Sequence, residues 1–331
     1  MEEVLIMAHE LSNAVTALAA LILSAPAAHA QRPQTRAGSP CDSIASLYAS
    51  CSKKFDYDGH AFYFKLSEGP RTALCDDGRK LVYYDRMDDM DIVSILSIPY
   101  QKGRTVLPEV RRNWDPGRLR NEDLLKAVYG SNESSARSKL VKVSFLNQNV
   151  MFSSQLGAAN ALSNAGKQLQ LMAKTDSELA LFLKPFLNGK NDLKGNTFFW
   201  RKVKGTPRLS AHSFGAAIDI LTNVGPMYWL WDEQRDHPAR AKLGEQAYRD
   251  IHYIPPGAPR FNQKVVDVME ANGFVWGGKW NHYDTMHFEY RPELTGMTQA
   301  ACLTLNAAAN FSLPTAQDFA DAESSHPPEH D

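Results

Sequence analysis

The alternation of hydrophobic and polar positions predicts short strands and helices in the middle of the chain. Val141, Val143 and Phe145 alternate with polar residues, which is typical of a strand with one buried face. Leu156, Ala159, Leu162 and Leu169 recur at helical spacing. Taken together, the pattern predicts strands over 140–145, 196–203, 216–221 and 285–290, and helices over 121–130, 156–169 and 261–274.

The ends of two helices are predicted by residue type. Asn121 is a suitable N-cap, and Glu122 and Asp123 place negative charge in the first turn, where the helix dipole favours it. Gly130 then ends this helix, and Gly273 ends the later one. The sequence therefore predicts an α+β domain over residues 112–295.

The regions on either side of this domain have weaker patterns. Residues 31–111 mix short polar and aromatic segments with turn signals, which indicates an irregular or β-containing N-terminal region of unknown role. After Leu294 the chain is rich in Ala, Ser and Pro, so we expect residues 296–331 to form a disordered tail.

The first 30 residues resemble a secretory signal peptide. Residues 14–23 are apolar, and the small residues Ala28 and Ala30 suit a cleavage site after Ala30. The segment before the apolar core carries acids and no Lys or Arg, so a buried helix is the alternative. No hydrophobic run reaches the roughly 20 residues that a spanning helix needs. We expect an exported protein without a membrane span.

Charge and cysteine content narrow the choice of partners and metal sites. The net charge is −1, which gives no basis for capturing nucleic acid, and we expect a monomer. Cys41, Cys51, Cys75 and Cys302 would all remain after cleavage, an even number that suits disulfides. Cys41–Cys51 with Cys75–Cys302 is one of three possible pairings. No pair has C-x-x-C spacing, so a thiolate zinc site is not supported.

Two short stretches concentrate residues that carry chemistry. In "RLSAHSFGAAIDI", His212 and Asp219 are separated by six small or apolar residues, and Asp219 lies in an apolar run. A carboxylate in such a setting is costly unless its charge is compensated. In "WGGKWNHYDTMHFEYRPEL", His282, Asp284, His287 and Glu289 fall within eight residues.

One bound zinc ion would account for the His and Asp residues of both stretches. Ligands from His212, Asp219 and His287 would neutralise Asp219 and leave a fourth position to water, as in catalytic zinc sites. Asp284 is well placed as the general base for that water, whose pKa zinc lowers towards ~7. Each of these residues, taken alone, could serve a purely structural role. Their combination favours a hydrolytic site.

These stretches closely resemble the zinc peptidase family of VanY-like D-alanyl-D-alanine carboxypeptidases and L-alanyl-D-glutamate endopeptidases. The family pattern S-x-H-x-x-G-x-A-x-D, followed by W-G-G-x-W and D-x-M-H-F-E, is matched at every named position. The similarity covers about 196–294, and is looser over 112–195. It implies a small antiparallel sheet with flanking helices around a single zinc site, the fold shared with the Hedgehog signalling domain.

The resemblance also implies roles for individual residues. His212, Asp219 and His287 match the zinc ligands, and Asp284 matches the catalytic acid/base. The family uses an arginine to stabilise the oxyanion, for which Arg201 is our first choice and Arg208 the second.

The roles of two further sets of residues are less specific. Ser210 and Gly215 match positions that shape the ligand loop, and we assign Ser210, Trp280 and His282 to substrate binding, although Trp280 and the nearby aromatic residues suit a core equally well. Glu289 either orients a ligand histidine or forms a surface salt bridge.

The function implied is hydrolysis of peptidoglycan stem peptides in a bacterial periplasm. Either the terminal D-Ala is removed or the L-Ala–D-Glu bond is cut, and these residues do not distinguish the two. Two alternatives remain: a zinc-containing binding module that has lost catalysis, which the presence of Asp284 disfavours, and a phage-type lysin, which the signal peptide disfavours.

Overall fold

The computed structural model describes mainly the middle of the chain. The described residues are 46, 55–57, 61–66, 69–74, 95, 100–103, 115–203, 207–222, 261–280, 282–296 and 315–324. The predicted signal peptide and all four cysteines lie outside them, so the expected export and disulfide pairing stay predictions.

The described elements form an α+β arrangement, as predicted. Eight strands and six α-helices occur in this part of the chain. In chain order they are β1 (Phe55–Tyr57), β2 (Ala61–Leu66), β3 (Gly69–Leu74), α1 (Glu122–Tyr129), α2 (Glu133–Arg137), β4 (Leu140–Phe145), β5 (Gln148–Ser153), α3 (Ala158–Met172), α4 (Ser177–Leu187), β6 (Ala217–Asp219), α5 (Gln263–Ala271), β7 (Phe274–Trp276), β8 (His287–Tyr290) and α6 (Ala316–Ser324).

Helix α1 begins and ends as its sequence predicts. The Asn121 side chain accepts a hydrogen bond from the backbone N–H of Leu124 at 2.8 Å, and Glu122 and Asp123 lie in the first turn. Gly130 caps the C-terminus with its N–H on the Lys126 carbonyl. The buried face of α1 joins the main hydrophobic core through Leu124, Leu125, Ala127, Val128 and Tyr129.

Strands β4 and β5 form a hairpin on which α3 packs. The hairpin turn contains Leu146 and Asn147, both with positive φ. The sequence predicts β4 and α3 but not β5, because four successive residues of β5, Val150 to Ser153, are buried and leave little alternation to detect. Gly166 of α3 lies against Phe145, where a Cβ atom would come within 2.9 Å of that ring. This close approach fixes the helix on the hairpin.

A three-stranded antiparallel sheet in the order β6-β8-β7 supports the candidate site. Asp219 on β6 is directly opposite His287 on β8, and Ala217 is opposite Glu289. On the other edge, Trp276 of β7 pairs with Phe288. The register therefore places the predicted carboxylate and the second predicted histidine side by side. Both predicted strands are confirmed, although they are shorter than the sequence suggests.

The strand predicted over 196–203 is wrong. This segment contains a 3-10 turn at Lys194–Asn196 and a single bridge between Lys202 and Leu209. Its backbone groups bind the loop that follows instead: Ser213 Oγ donates to the Arg201 carbonyl at 2.8 Å and accepts from the Arg201 N–H at 3.0 Å. Because these groups are already satisfied, they are not available for a strand partner.

The regions outside the central domain also contain regular structure. Strands β1, β2 and β3 form an antiparallel sheet, which agrees with the β-containing alternative predicted for the N-terminal region. Residues 316–324, within the tail predicted to be disordered, form helix α6. Its Phe319 packs edge-on against Phe198 with ring centroids 6.2 Å apart, and Asp318 pairs with Lys142 at 2.8 Å. Tertiary contacts thus order a segment whose composition suggested none.

Over the described residues, no helix has both the length and the apolar character needed to cross a membrane.

Candidate metal centre

A tight turn presents His212 to the site. Ser210 caps a short 3-10 helix, Ala211–Phe214, and its Oγ accepts a hydrogen bond from the His212 N–H at 3.3 Å. Gly215 then turns the chain with φ 60°, a left-handed conformation that glycine adopts without strain. A Cβ atom at Gly215 would also come within 2.3 Å of Leu140. These contacts give Ser210 and Gly215 the loop-shaping roles expected from the motif.

His212, Asp219 and His287 converge on one point. Each offers a nitrogen or oxygen atom, and the three atoms lie within 4.8 Å of one another. Asp219 Oδ2 is 3.2 Å from His212 Nε2, and Asp219 Oδ1 is 2.9 Å from His287 Nδ1. The two ring nitrogens are 3.2 Å apart. The structure therefore brings together the three predicted ligands in a group that can hold a metal ion.

The far side of each imidazole ring faces another group. Nδ1 of His212 donates to the backbone carbonyl of Thr197 at 2.9 Å, which leaves Nε2 facing Asp219. Nε2 of His287 lies 3.6 Å from Glu289 Oε2. Such outer partners commonly fix the orientation of metal-binding histidines. Glu289 is 1% exposed, so the interpretation of it as a surface salt bridge is wrong.

Glu289 is held in turn by two arginines that the sequence analysis did not single out. Arg120 Nε lies 2.8 Å from both carboxylate oxygens, and its Nη2 also contacts Oε2. Arg291 Nη1 is 3.4 Å from Oε1. Although burial acts to raise the pKa of Glu289, these cations and His287 hold it well below its usual range. The carboxylate thus stays charged behind His287.

The electrostatics of the three convergent residues suit a cation. Burial lowers the pKa of His212, which favours the neutral form of its ring. Burial would raise the pKa of Asp219, but the two histidines hold it far below its usual range. Burial likewise opposes protonation of His287, yet the surrounding acids Asp219, Glu289 and Asp284 raise its pKa to about 9. The negative charge around His287 therefore favours a positive charge at this point.

Asp284 lies at the entrance of the turn that leads into β8. Its carbonyl accepts from the His287 N–H at 3.1 Å, and its N–H donates to the Gly277 carbonyl at 3.0 Å. Asp284 Oδ1 is enclosed and makes no hydrogen bond to any described residue. Burial raises the pKa of Asp284 to about 7, with His287, Arg118 and Arg201 opposing the shift and Asp219 adding to it. A carboxyl group so tuned suits proton exchange near neutral pH.

Of the two candidate arginines, Arg201 lies within electrostatic range of the site. Its charge lowers the pKa of both His212 and Asp284. The Nε atom of Arg201 is buried and has no hydrogen-bond partner in the described part of the chain. Arg208 is buried, and its carbonyl accepts from the Val203 N–H at 2.8 Å. The effect of its charge on both His212 and Asp284 is the observation that favours Arg201 over Arg208.

Trp280 and His282 are held by a turn that the family motifs do not include. Trp280 is buried with its ring centroid 5.7 Å from that of His287, and its Nε1 donates to the Pro116 carbonyl at 2.8 Å. His282 binds Asp115 through both its backbone N–H, at 2.9 Å, and its ring Nδ1, at 2.8 Å. Residues 115–118, here called the DPGR turn, therefore lie against the loop that leads to Asp284.

A second buried network ties residues 100–103 to the same loop. Glu270 of α5 accepts hydrogen bonds from the Tyr100 hydroxyl and, at 2.6 Å, from the Gly103 N–H, and it pairs with Lys279 at 2.5 Å. The Tyr100 hydroxyl in turn accepts from the Trp276 N–H at 2.8 Å. The sequence analysis missed Tyr100, Glu270 and Asp115, because nothing in their local pattern shows that they meet residues far along the chain.

Comparison with known families gives one match. A family model described as D-alanyl-D-alanine carboxypeptidase matches residues 204–290, which is less than half of the chain. Comparisons with curated proteins and with solved structures gave no match. The matched segment contains all three convergent residues and Asp284, so the family resemblance inferred from the motifs is confirmed. Residues 204–290 are thus similar to the D-alanyl-D-alanine carboxypeptidase family.

Proposed function

We propose that the protein is a zinc peptidase that hydrolyses peptide bonds in the stem peptides of peptidoglycan. The observation that carries the proposal is the convergence of His212, Asp219 and His287, beside the enclosed carboxyl group of Asp284, within the segment that matches a carboxypeptidase family. The match supports a peptidase that acts on D-alanyl-D-alanine. The metal, the export and the detailed mechanism belong to the proposal.

The donor set fits zinc better than calcium or magnesium. Two imidazole nitrogens and one carboxylate oxygen are typical zinc ligands, whereas calcium and magnesium prefer oxygen ligands alone. Three protein ligands also leave a coordination position open, as in catalytic sites. Zinc, when bound, supplies a Lewis acid that polarises the scissile carbonyl and acidifies the attacking water.

The remaining steps are assigned to side chains of this protein. Asp284 takes a proton from the attacking water as the new C–O bond forms, and gives it to the leaving amine as the C–N bond breaks. Arg201 stabilises the negative charge that develops on the carbonyl oxygen. Thr197 and Glu289 hold the two imidazole rings in the orientation that the site requires.

The bond proposed is the one before the C-terminal D-alanine. The family description names this activity, and the L-Ala–D-Glu bond is the competing target. The apolar segment 14–23 and the small residues Ala28 and Ala30 support export to a periplasm, where such peptides occur.

The test is a digest of free stem pentapeptide and of purified peptidoglycan by the mature protein, with products identified by mass spectrometry. Loss of one terminal alanine from the zinc-loaded protein, abolished by a chelator and restored by zinc, is the expected result. Cleavage after L-alanine would replace the carboxypeptidase assignment with an endopeptidase. The absence of any product from zinc-loaded protein would contradict the peptidase proposal and favour a zinc-containing binding module.

A further inference from the structure

The DPGR turn contacts Trp280 and His282 beside the candidate site, although it lies outside the segment that matches the family. The Arg118 N–H donates to the Asp115 carbonyl at 3.1 Å, and Gly117 between them has φ 85°. A Cβ atom at Gly117 would come within 3.1 Å of Val275 on β7. The turn therefore needs glycine both for its conformation and for its close approach to the sheet.

Several hydrogen bonds fix this turn against the loop that carries Trp280 and His282. Asp115 accepts from the backbone and the ring of His282, and the Pro116 carbonyl accepts from the Trp280 indole. From the other side, Arg291 Nη1 donates to the Gly117 carbonyl at 3.3 Å and to the Leu119 carbonyl at 3.0 Å. A turn secured in this way holds the side chain that it carries in one position.

That side chain is Arg118. Its Nη1 pairs with Asp115 Oδ2 at 3.2 Å, and its guanidinium carbon lies 5.7 Å from the centroid of the Trp280 ring. Trp280 in turn packs against His287, one of the three convergent residues. Arg118 and Arg201 both oppose the rise in the pKa of Asp284, so both charges lie near its carboxyl group. Arg118 is carried by the DPGR turn, whereas Arg201 precedes the short helix that presents His212.

The two positions suit two different tasks. Arg201, near His212 and Asp284, suits the charge that develops on the scissile carbonyl. Arg118 lies over the ring of Trp280, and the same ring packs against His287. In a C-terminal dipeptide the free carboxylate lies one residue beyond the scissile bond, so a peptide seated at the metal site needs a second cation beyond the first. A planar guanidinium matches a carboxylate with two parallel hydrogen bonds.

We propose that Arg118, oriented by Asp115 and backed by Trp280, binds the free C-terminal carboxylate of the substrate and so selects peptides that end at the residue after the cleaved bond. This inference rests on the proposed peptidase function, which it makes more specific. It gives the DPGR turn the role of distinguishing a carboxypeptidase substrate from an internal peptide bond.

The first test measures binding without turnover. The stem pentapeptide with a free C-terminal carboxylate, and the same peptide amidated at its C-terminus, are titrated into zinc-loaded Asp284→Asn protein by calorimetry. In this background Arg118→Ala is expected to weaken binding of the free acid about 10- to 100-fold and to leave binding of the amide within about twofold. Arg118→Lys, which keeps the charge but loses the paired geometry, is expected to fall between the two.

A matched control and two further readouts separate recognition from folding. Lys174→Ala removes an exposed positive charge from the segment between α3 and α4 and is expected to change neither affinity. Zinc content and melting temperature are measured for every variant. Equal weakening of both peptides by Arg118→Ala, an unchanged affinity for the free acid, or loss of zinc in both Arg118 variants would overturn the inference.

Turnover then distinguishes this inference from the proposed function. With Asp284 intact, the unmodified protein is expected to release D-alanine from the free acid at least about tenfold faster than it cleaves the amide, and Arg118→Ala is expected to remove this preference mainly through KM. If the unmodified protein cleaves neither peptide, the peptidase proposal fails, whatever the calorimetry shows. If it cleaves both equally well, the peptidase proposal stands and the role of Arg118 is wrong.

Discussion

Two regions meet at the candidate site and reach it in different ways. Residues 204–290 supply the three convergent residues on short elements with a recognisable spacing, and a family model matches them. The DPGR turn and residues 100–103 lie outside that match, yet their backbone carbonyls accept hydrogen bonds from Trp280 and Lys279 of the same loop across 164 to 178 positions of sequence. The three proposed ligands and the proposed base are thus local to one segment, while the groups that contact their surroundings come from distant parts of the chain.

This difference shows that the segment matching the family contains the proposed ligands and base, but not all of the residues that surround them. A metal ligand acts through its own donor atom, so its identity and spacing are visible in sequence. A positioning contact needs only a polar group in the right place, and many residue types can supply one. The following predictions are ordered from the largest expected effect to the smallest.

Replacement of a convergent histidine should have the largest effect. His212→Ala removes one of three proposed ligands, so the metal content should fall from about one ion per chain towards zero. Because the Lewis acid contributes several kcal/mol, turnover should fall about a thousandfold or more. Atomic emission measurements with the Lys174→Ala control test this, and an unchanged metal content would exclude the proposed centre.

Replacement of the proposed base should separate chemistry from metal binding. Asp284→Asn should retain zinc, because Asp284 is not one of the three convergent residues, and should lose about 10²- to 10⁴-fold in kcat. Parallel metal analysis and D-alanine release measure the two effects. Loss of the metal instead would make Asp284 a ligand.

The two candidate arginines should differ in their contribution to turnover. Arg201→Ala should lower kcat about 10²- to 10³-fold, because a preorganised donor near the reacting carbonyl is removed. Arg208→Ala should affect stability more than kcat, since Arg208 is buried, whereas Arg201 is the arginine whose charge acts on both His212 and Asp284. Steady-state kinetics of both variants at matched zinc content make the comparison, and the reverse order would exchange the two roles.

The DPGR turn should make stability depend on pH through Asp115. Burial acts to raise the pKa of Asp115, but Arg118 and His282 lower it from 3.8 to about 2. Because the folded pKa lies below the unfolded pKa near 3.8, the ionised carboxylate stabilises the folded state at pH values above 3.8. This contribution is lost as the pH falls through 2. Asp115→Asn should therefore cost about 2 kcal/mol at neutral pH and progressively less towards pH 2.

Urea denaturation between pH 3 and pH 7 measures that difference. A constant gap between the two proteins across this range would show that the Asp115 carboxylate contributes through shape and not through charge.

The network around Glu270 should contribute to stability with little effect on chemistry. Tyr100→Phe removes the hydroxyl that donates to Glu270 and accepts from the Trp276 N–H, while Lys279 and the Gly103 N–H still satisfy the carboxylate. The free energy of unfolding should fall by about 1–2 kcal/mol with kcat within about threefold. Leu181→Ala, at a side chain that is 72% exposed, is the control. A large loss of kcat would show that residues 100–103 position the loop for catalysis.

The sequence predicts the elements of the central domain where the pattern is strongest. The cap residue Asn121, strand β4 and helix α3 are found where the pattern indicates. Strand β5 was missed because its buried run has no clear period, and 196–203 was wrongly predicted as a strand because its polar backbone groups bind the ligand loop. The order found at 316–324 depends on Phe319 meeting Phe198, a contact that local composition does not indicate.

The sequence by itself determined which residues can bind a metal, because His and Asp donor atoms and their motif spacing are properties of residue type. It also indicated the family over the matched segment. Only the tertiary structure decided which groups orient those ligands: Thr197 behind His212, Glu289 with Arg120 behind His287, and the DPGR turn beside Trp280. These contacts join residues distant in the chain, and their energies depend on burial and distance, which exist only once the chain has folded.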